Sequence, residues 1–339
     1  MDIAVSTFTA ADTEAAERAY EIESLCTAAD LPDFPPVCRQ SFFAGLSHPW
    51  PGRKLHRALA HLDGAPVGLV RTLLPDLDNT DNAYLEIFVP PQHRRKGVGR
   101  ALFEHSVRLA RAQGRKRIFG DSVAALPAGP ARTEAGRGFA LAMGAKSALV
   151  DVRRRLDIAG LDEVALDRLL AEAQTRADGY SLVRWSGPTP QEYVADVAYL
   201  EGRLFEDAPM GDLEWEPEKV DVARIRGIEA ARKARGQRSY HVGMRHDASG
   251  RLAAWTMLTL NATVPWHAFQ QITLVEPRHR GHRLGAIVKI ENLRYAMAHE
   301  PELRVIDTWN AAVNDHMVSI NEAMGFRPVD GWDNWQLTL

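Results

Sequence analysis

The alternation of apolar and polar positions predicts the same succession of elements twice along this chain. In the first stretch, period-2 alternation from Asp2 to Thr9 predicts a strand, and a helical period follows from about Asp12 to Ala29. The runs Leu55 to Leu62 and Ala65 to Leu73 flank Asp63-Gly64, a pair that favours a tight hairpin turn. Tyr84 to Val89 predicts a strand. About Val98 to Gln113 predicts a helix with Val98, Leu102 and Leu109 on its buried stripe, and Gly114 stands where that helix should end. Arg117 to Val123 then reads as strand, Thr133 to Met143 as helix and Ser147 to Leu156 as a last strand.

The second stretch repeats the plan with a longer lead-in. Leu161 to Ala177 reads as a helix, Tyr180 to Trp185 as a strand, and Thr189 to Glu206 and Pro217 to Lys233 as helices. Tyr240 to Arg245 and Leu252 to Leu260 flank a second hairpin turn at His246 to Gly250. Strand Phe269 to Val275, a helix from about Leu284 to His299, strand Arg304 to Trp309 and helix Asn314 to Met324 follow. Ala286, Ile290, Leu293 and Met297 give the helix after the second loop its apolar face. The repeat places a boundary near residue 158, dividing the chain into domains 1–158 and 159–339.

Each stretch carries one loop between a strand and a helix at the same place in the plan. The first reads Val89-Pro90-Pro91-Gln92-His93-Arg94-Arg95-Lys96-Gly97-Val98-Gly99, the second Val275-Glu276-Pro277-Arg278-His279-Arg280-Gly281-His282-Arg283-Leu284-Gly285. A strand feeding such a turn into a helix N-terminus presents free backbone N–H groups to one anion, and the helix dipole adds to the attraction. Alone, Gly-x-Gly is an ordinary tight turn. A dinucleotide fingerprint would need a third glycine where Leu102 stands, and a P-loop would need Gly-Lys-Ser/Thr, so neither fits.

The frame Val-x-Pro-x-x-Arg-x-x-Gly-x-Gly resembles the acetyl-CoA pyrophosphate loop of the GNAT acetyltransferase superfamily. The first copy matches at Val89, Pro91, Arg94, Gly97 and Gly99; the second at Val275, Pro277, Arg280 and Gly285, with Arg283 in place of the middle glycine. The segment from Asn314 through Met317, Ile320 and Asn321 to Met324-Gly325-Phe326 is similar to the family's closing helix and the Gly-Phe after it. The resemblance implies an α/β (α+β) chain of two tandem GNAT folds, each a mixed, mostly antiparallel sheet flanked by helices. That arrangement is similar to mycothiol synthase, whose C-terminal domain is the catalytic one.

Bulk composition narrows the setting without changing this picture. A length of 339 residues suits two domains, and 45% hydrophobic with 25% charged residues is ordinary for globular protein. The net charge of −3 argues against a nucleic-acid binder. Cys26 and Cys38 are too few for a disulfide framework, and neither a membrane span nor a signal peptide is visible. The expectation is a cytoplasmic monomer or homodimer with a small-molecule amine acceptor and no nucleic-acid or membrane partner.

The resemblance implies acetyl-CoA as cosubstrate and no metal. Donor binding falls to Val89, Arg94, Arg95, Lys96, Gly97, Val98 and Gly99, and to Val275, Arg280, Gly281, His282, Arg283, Leu284 and Gly285. Gly97 and Gly99 let backbone approach the pyrophosphate oxygens. Arg283 is harmless in helical or extended backbone and costs about 1 kcal/mol or more at positive φ, unless Gly281 and Gly285 absorb the turn. Asn310 and Asn314 fall beside the thioester; Asn314 is equally an N-cap.

An acceptor amine, with a reference pKa of roughly 10, must lose a proton. Glu86 matches the base of polyamine acetyltransferases, its bland reading being a solvent-facing strand residue. The second stretch has Ile272 there, with Gln270, Gln271 and Thr273 as polar neighbours that could order a water relay and His267 as a weaker base or a surface histidine. The family's leaving-group tyrosine is missing from both copies, with Ala140 and Asn321 at its place. Asn321 can donate a hydrogen bond, and a thiol pKa of about 8.5 means the leaving thiolate needs little help. The acidic lead-in from Glu206 to Glu218, with Phe205 and Trp215, is either a lined cationic-amine pocket or a solvated loop. Acetyl-CoA-dependent N-acetylation of a small, cationic primary amine by direct attack is the resulting expectation, with catalysis leaning to the second domain. A non-catalytic CoA-binding or dimerisation module, or transfer of another acyl group with catalysis in the first domain, are the alternatives.

Overall fold

A computed structural model describes residues 3–339. Asp2, where the first predicted run begins, lies outside the described residues. The chain opens with β1 (Ile3–Thr7), α1 (Thr13–Asp30), α2 (Arg39–Ser47), β2 (Arg53–Leu62), β3 (Ala65–Pro75) and β4 (Asn82–Phe88). It continues with α3 (Val98–Ala112), β5 (Arg117–Ala125), α4 (Ala135–Ala142) and β6 (Lys146–Asp157). Then come α5 (Glu163–Gln174), β7 (Tyr180–Ser186), α6 (Val194–Gly202), α7 (Leu204–Asp207), α8 (Val222–Ala234), β8 (Arg238–His246) and β9 (Leu252–Leu260). β10 (His267–Val275), α9 (Leu284–His299), β11 (Val305–Ala311), α10 (Asp315–Ala323) and β12 (Arg327–Thr338) close the chain.

Two compact units result, and they interleave along the sequence. One comprises residues 1–150, 210–216 and 330–339; the other comprises 151–209 and 217–329. Within the first, the strand order is β1-β2-β3-β4-β5 followed by residues 330–338 of β12, which run antiparallel to β5. Within the second, residues 151–157 of β6 lie antiparallel to β11, followed by β10, β9, β8 and β7. In each unit one pair is parallel, β4 with β5 and β10 with β11, and the other pairs are antiparallel. The mixed, mostly antiparallel sheet flanked by helices is therefore present in both units.

β12 is absent from the predicted elements. Its sequence carries Pro328, Gly331 and several Asp and Asn, residues that depress strand propensity, so only pairing with β5 reveals it. α2 is likewise unpredicted, and the helix expected over Thr189 to Glu206 forms only as the shorter α6 and α7.

α3 buries Val98, Leu102, Ser106 and Ala110, one residue per turn, while Leu109 is only half-buried. α9 is enclosed on more than the predicted face: Ile287, Val288, Lys289 and Asn292 are buried along with Ala286, Ile290 and Leu293. A helix apolar nearly all round belongs in a core, and α9 is the centre of the second unit's main cluster. α1 packs on the first unit's sheet through Ala16, Ala19, Ile22 and Cys26, with Glu23 on the same buried stripe.

Candidate active site

The two loops fold alike at corresponding positions. Each begins with a short 3-10 turn, Pro91–His93 in the first and Pro277–His279 in the second. Each then takes left-handed backbone twice. In the first loop the left-handed residues are Arg95 (φ 62°) and Gly97 (φ 87°); in the second they are Gly281 (φ 86°) and Arg283 (φ 56°). Two left-handed residues flanking one ordinary residue turn successive N–H groups toward a common point, the geometry of an anion nest. Gly97 and Arg283 are the N-caps of α3 and α9, so the free N–H groups of a helix first turn lie next to each nest. Each loop thus has glycine at one of its two left-handed positions, and the positions are exchanged between copies. Arg283 occupies the strained alternative of the sequence reading, and Gly281 does not relieve it.

The arginine at the matching position of each loop makes an ion pair with a neighbouring helix. Arg94 donates from Nε to the Val89 carbonyl at 2.8 Å and from Nη2 to Asp30 at 2.6 Å. Arg280 pairs with Asp207 at 2.9 Å. Both side chains fasten their loop to a neighbouring helix, and Arg95, Lys96, Arg278 and Arg283 are further exposed charges of the two loops.

Beyond each loop the two parallel strands part. Register between β4 and β5 ends at Tyr84↔Phe119, and between β10 and β11 at Phe269↔Asp307. In the first unit this parting opens into a cleft of about 710 Å³. The loop (Gly97, Gly99), the β4 edge (Glu86 to Val89), α1, β5, α4 and Trp332 of β12 line it. The side chains of Val98 and Leu284 are buried at the first turn and anchor their helices, while their backbone stays part of the loop.

Glu86 faces this cleft. Arg71, directly opposite on β3, donates to it from Nε at 2.9 Å and from Nη2 at 2.8 Å. The remaining terminal nitrogen, Nη1, donates to both oxygens of Glu23 on α1, at 3.0 and 2.9 Å. Burial pushes the Glu23 carboxyl above its usual range, with Arg71 opposing. Burial also works against the Arg71 charge, but Glu86 and Glu23 together outweigh it and raise the guanidinium further. α4 contributes Ala135, Gly136, Phe139 and Ala142 to the lining and no hydroxyl; Ala140 is not among them. The hydroxyls in the lining belong to Thr27, Ser122 and Thr133, and Ser122 accepts a hydrogen bond from Trp335 Nε1 at 2.8 Å.

In the second unit the corresponding polar residues bond among themselves. Thr273 shares a hydrogen bond with Thr256 at 2.8 Å, and Gln270 Nε2 donates to Thr256 Oγ1 and to the carbonyls of Met257 and Ile272. A bulge between Gln270 and Ile272 makes room for them. Asn321 is fully buried and donates to Asn310 at 2.6 Å. Asn314 is the N-cap of α10, accepting from the Met317 N–H at 3.3 Å. A Cβ at Gly285 would stand in ordinary contact with Val275 and Ile320, so alanine would fit there.

His267 is neither a surface histidine nor exposed to a cleft. It is buried and donates to Asp307 at 2.9 Å, alongside Arg153 at 3.2 Å and Arg155 at 2.8 Å. The acidic lead-in also fails to form one lined pocket. Asp207 serves Arg203 and Arg280, Glu218 binds Arg224, and residues 210–216 belong to the first unit. There Glu214 pairs with Arg117, and Trp215 packs edge-on against Phe119 with centroids 5.5 Å apart.

A model of the acetyltransferase (GNAT) family matches residues 16–126. A solved tandem GNAT protein from the clavulanic acid biosynthesis pathway is 34% identical, with a TM-score of 0.83 over 99% of this chain and 98% of that one. The chain belongs to the GNAT acetyltransferase family.

Two more distant GNAT structures share the fold. A GCN5-related N-acetyltransferase from Sphaerobacter thermophilus is 11% identical, with a TM-score of 0.65 over 99% of this chain and 95% of that one. The glucosamine N-acetyltransferase region of a fungal multi-domain β-N-acetylglucosaminidase is 13% identical, with a TM-score of 0.65 over 99% of this chain and 38% of that one. No curated protein sequence matches the chain. As a GNAT protein the chain is an acyltransferase, with tandem GNAT architecture. Among the described residues no group of three or more His, Cys, Asp or Glu could hold a metal ion, and no helix is long and apolar enough to cross a membrane.

The sequence pattern of this GNAT chain singles out the loops and Glu86 as candidates, and the structure sets Arg71, Glu23, Asp30 and Trp332 beside them. One signal was available: Glu23 interrupts the apolar stripe Ala16, Ala19, Ile22, Cys26, and a carboxylate on a buried helix face needs a partner. Nothing in the local pattern marks Arg71 or Trp332.

Proposed function

We propose that this GNAT enzyme transfers an acetyl group from acetyl-CoA to a primary amine of a small cationic molecule, by direct attack, in the cleft of the first unit. One observation carries the reading: the nest-bearing loop, an unpaired strand edge and the Glu86 carboxylate border a single cleft. The loop fits the cosubstrate. Its nest and the first-turn N–H groups of α3 would hold the pyrophosphate, with Arg95, Lys96 and Arg100 adding charge.

The N–H groups of the β4 edge beyond Tyr84 are the donors available to the thioester oxygen as it gains charge. The proton on the amine passes to Glu86, the nitrogen bonds to the carbonyl carbon, and the carbon–sulfur bond breaks to release the thiolate. With a thiol pKa of about 8.5 the thiolate is a tolerable leaving group without a tyrosine. Two carboxylates share one guanidinium at this end of the cleft, and the surplus negative charge favours a cationic acceptor. The second unit takes a supporting role: it has Ile272 where the first has Glu86, and its candidates Thr273 and Asn321 are an alcohol and an amide, neither a proton acceptor of carboxylate strength. Its loop keeps both left-handed positions and with them the capacity to bind an anion.

The test is thiol release from acetyl-CoA over a panel of small primary amines, with Glu86→Gln and Thr273→Val beside the wild type. Glu86→Gln is expected to lower kcat by about 100-fold or more, the scale of general-base catalysis. Thr273→Val is expected to keep wild-type turnover. The reverse pattern would move catalysis to the second unit, and no thiol release with any amine would refute the transferase reading.

A further inference from the structure

Among the described residues, both hydrogen bonds that orient Glu86 come from one residue. Arg71 and Glu86 are directly opposed across β3 and β4, so their side chains share a face, and the guanidinium meets the carboxylate as a two-bond fork. The third nitrogen is taken by Glu23 of α1, which is 8% exposed. The Phe88 ring covers the guanidinium face, its centroid 4.9 Å from the central carbon. Arg71 is therefore held by a strand, a helix and an aromatic plane at once, and all three of its nitrogens donate to carboxylates. That leaves little capacity for binding a phosphate or a substrate carboxylate. What the fork does leave is one lone pair on each Glu86 oxygen, directed away from Arg71.

We propose that Arg71 is a positioning residue that, with Glu23 as its counter-anchor, holds the Glu86 carboxylate on the cleft edge of β4 in the orientation that receives the acceptor's proton. This rests on the reading of Glu86 as the base. The physical need is clear from the charges: Glu23 and Glu86 face one partly desolvated wall, and without a cation between them they repel. Lysine would supply the charge but not the planar fork, so the arginine sets direction as well as sign.

A double-mutant cycle on kcat tests the proposal, using Arg71→Met, Glu86→Gln and the pair. Arg71→Met is expected to lower kcat by about 10- to 100-fold, the cost of a base displaced by about 1 Å, with the KM for acetyl-CoA unchanged. In the Glu86→Gln background the same substitution should cost nothing further, because a residue acting only through Glu86 has nothing left to act through. A merely structural role would lower kcat in both backgrounds equally, and that additive result would overturn the proposal while leaving Glu86 as the base. Full activity of Glu86→Gln would instead remove the reading beneath it. Glu23→Gln, which keeps the Arg71–Glu86 fork, serves as the second variant if Arg71→Met does not fold: its smaller loss should likewise vanish in the Glu86→Gln background, and an additive loss overturns the proposal.

Discussion

The exchanged glycines of the two loops make a paired experiment, Gly97→Ala against Arg283→Gly. Gly97 has φ 87° and ψ −10°, outside the left-handed basin that L-residues tolerate, which is centred near φ +57° and ψ +47°. A Cβ there would also stand 3.3 Å from Ile3 Cδ1, so that side chain must yield by a few tenths of an ångström. Alanine at 97 should cost about 1–2 kcal/mol. Arg283, at φ 56° and ψ 16°, sits much nearer the basin. Glycine there relieves about 1 kcal/mol of strain but returns about 0.5–1 kcal/mol through the freer unfolded chain. The Arg283–Glu172 pair it removes is 3.8 Å long and exposed on both sides, a class that contributes little. The net effect at 283 should be close to zero. Denaturant titration reads stability, and calorimetric titration with acetyl-CoA reads the nest. Gly97→Ala is expected to weaken binding at the first loop by about tenfold if 1.4 kcal/mol of strain falls on the bound geometry. The reasoning is refuted if Gly97→Ala proves as neutral as Arg283→Gly in both measurements.

Two buried charges in the second unit carry further predictions. Burial lowers the Lys289 ammonium to about pKa 7, with its nitrogen 5.3 Å from the Phe326 ring centroid. A folded pKa below the unfolded value of about 10.4 means the stability deficit is fully present below pH 7 and shrinks as pH rises from 7 toward 10. Lys289→Met should therefore stabilise at pH 7, on the order of 2–4 kcal/mol, and flatten that alkaline rise; an unchanged slope in urea titrations at pH 7 and 9.5 would refute it. Asp307 shows the opposite linkage. Burial works to raise its carboxyl, but hydrogen bonds from Arg155 and His267 overcome this and hold it at about 2, against an ordinary 3.8. Its contribution is present above pH 3.8 and lost as pH falls toward 2, about 2 kcal/mol in all. Asp307→Asn should remove that acid limb, at a cost near neutrality of about 3–5 kcal/mol from leaving Arg153 and Arg155 without their carboxylate. Retention of the same acid limb by the variant would assign it to other groups.

Much of the site was legible because its geometry is local. The strand, the 3-10 turn, the two left-handed residues and the helix N-terminus occupy eleven consecutive positions in each loop, and φ preferences act within that span. The duplicated order of elements was legible for the same reason, since period 2 and period 3.6 are short-range signals. What lay beyond the sequence required knowing which distant segments meet. Glu86 was readable as a candidate, but its Arg71 fork depends on the register between β3 and β4, and Glu23 on where α1 docks. The acidic run from Glu206 to Glu218 read as either a pocket rim or a solvated loop, and its members are divided between the units, Asp207 and Glu214 through partners far along the chain. The same holds for Asn314 and Asn321, one spent on capping α10 and the other buried against Asn310.

The loops, the helices they open and the repetition of the plan are local properties of the chain, because backbone conformation there is set by residues within a turn of one another. The strand beside β5 is a long-range outcome: it comes from residues 330–338, whose pairing brings Trp332 to the cleft and Trp335 to Ser122. Strand pairing is a contest among all edges of the chain, won by side-chain fit across the ladder and not by any pattern within the strand.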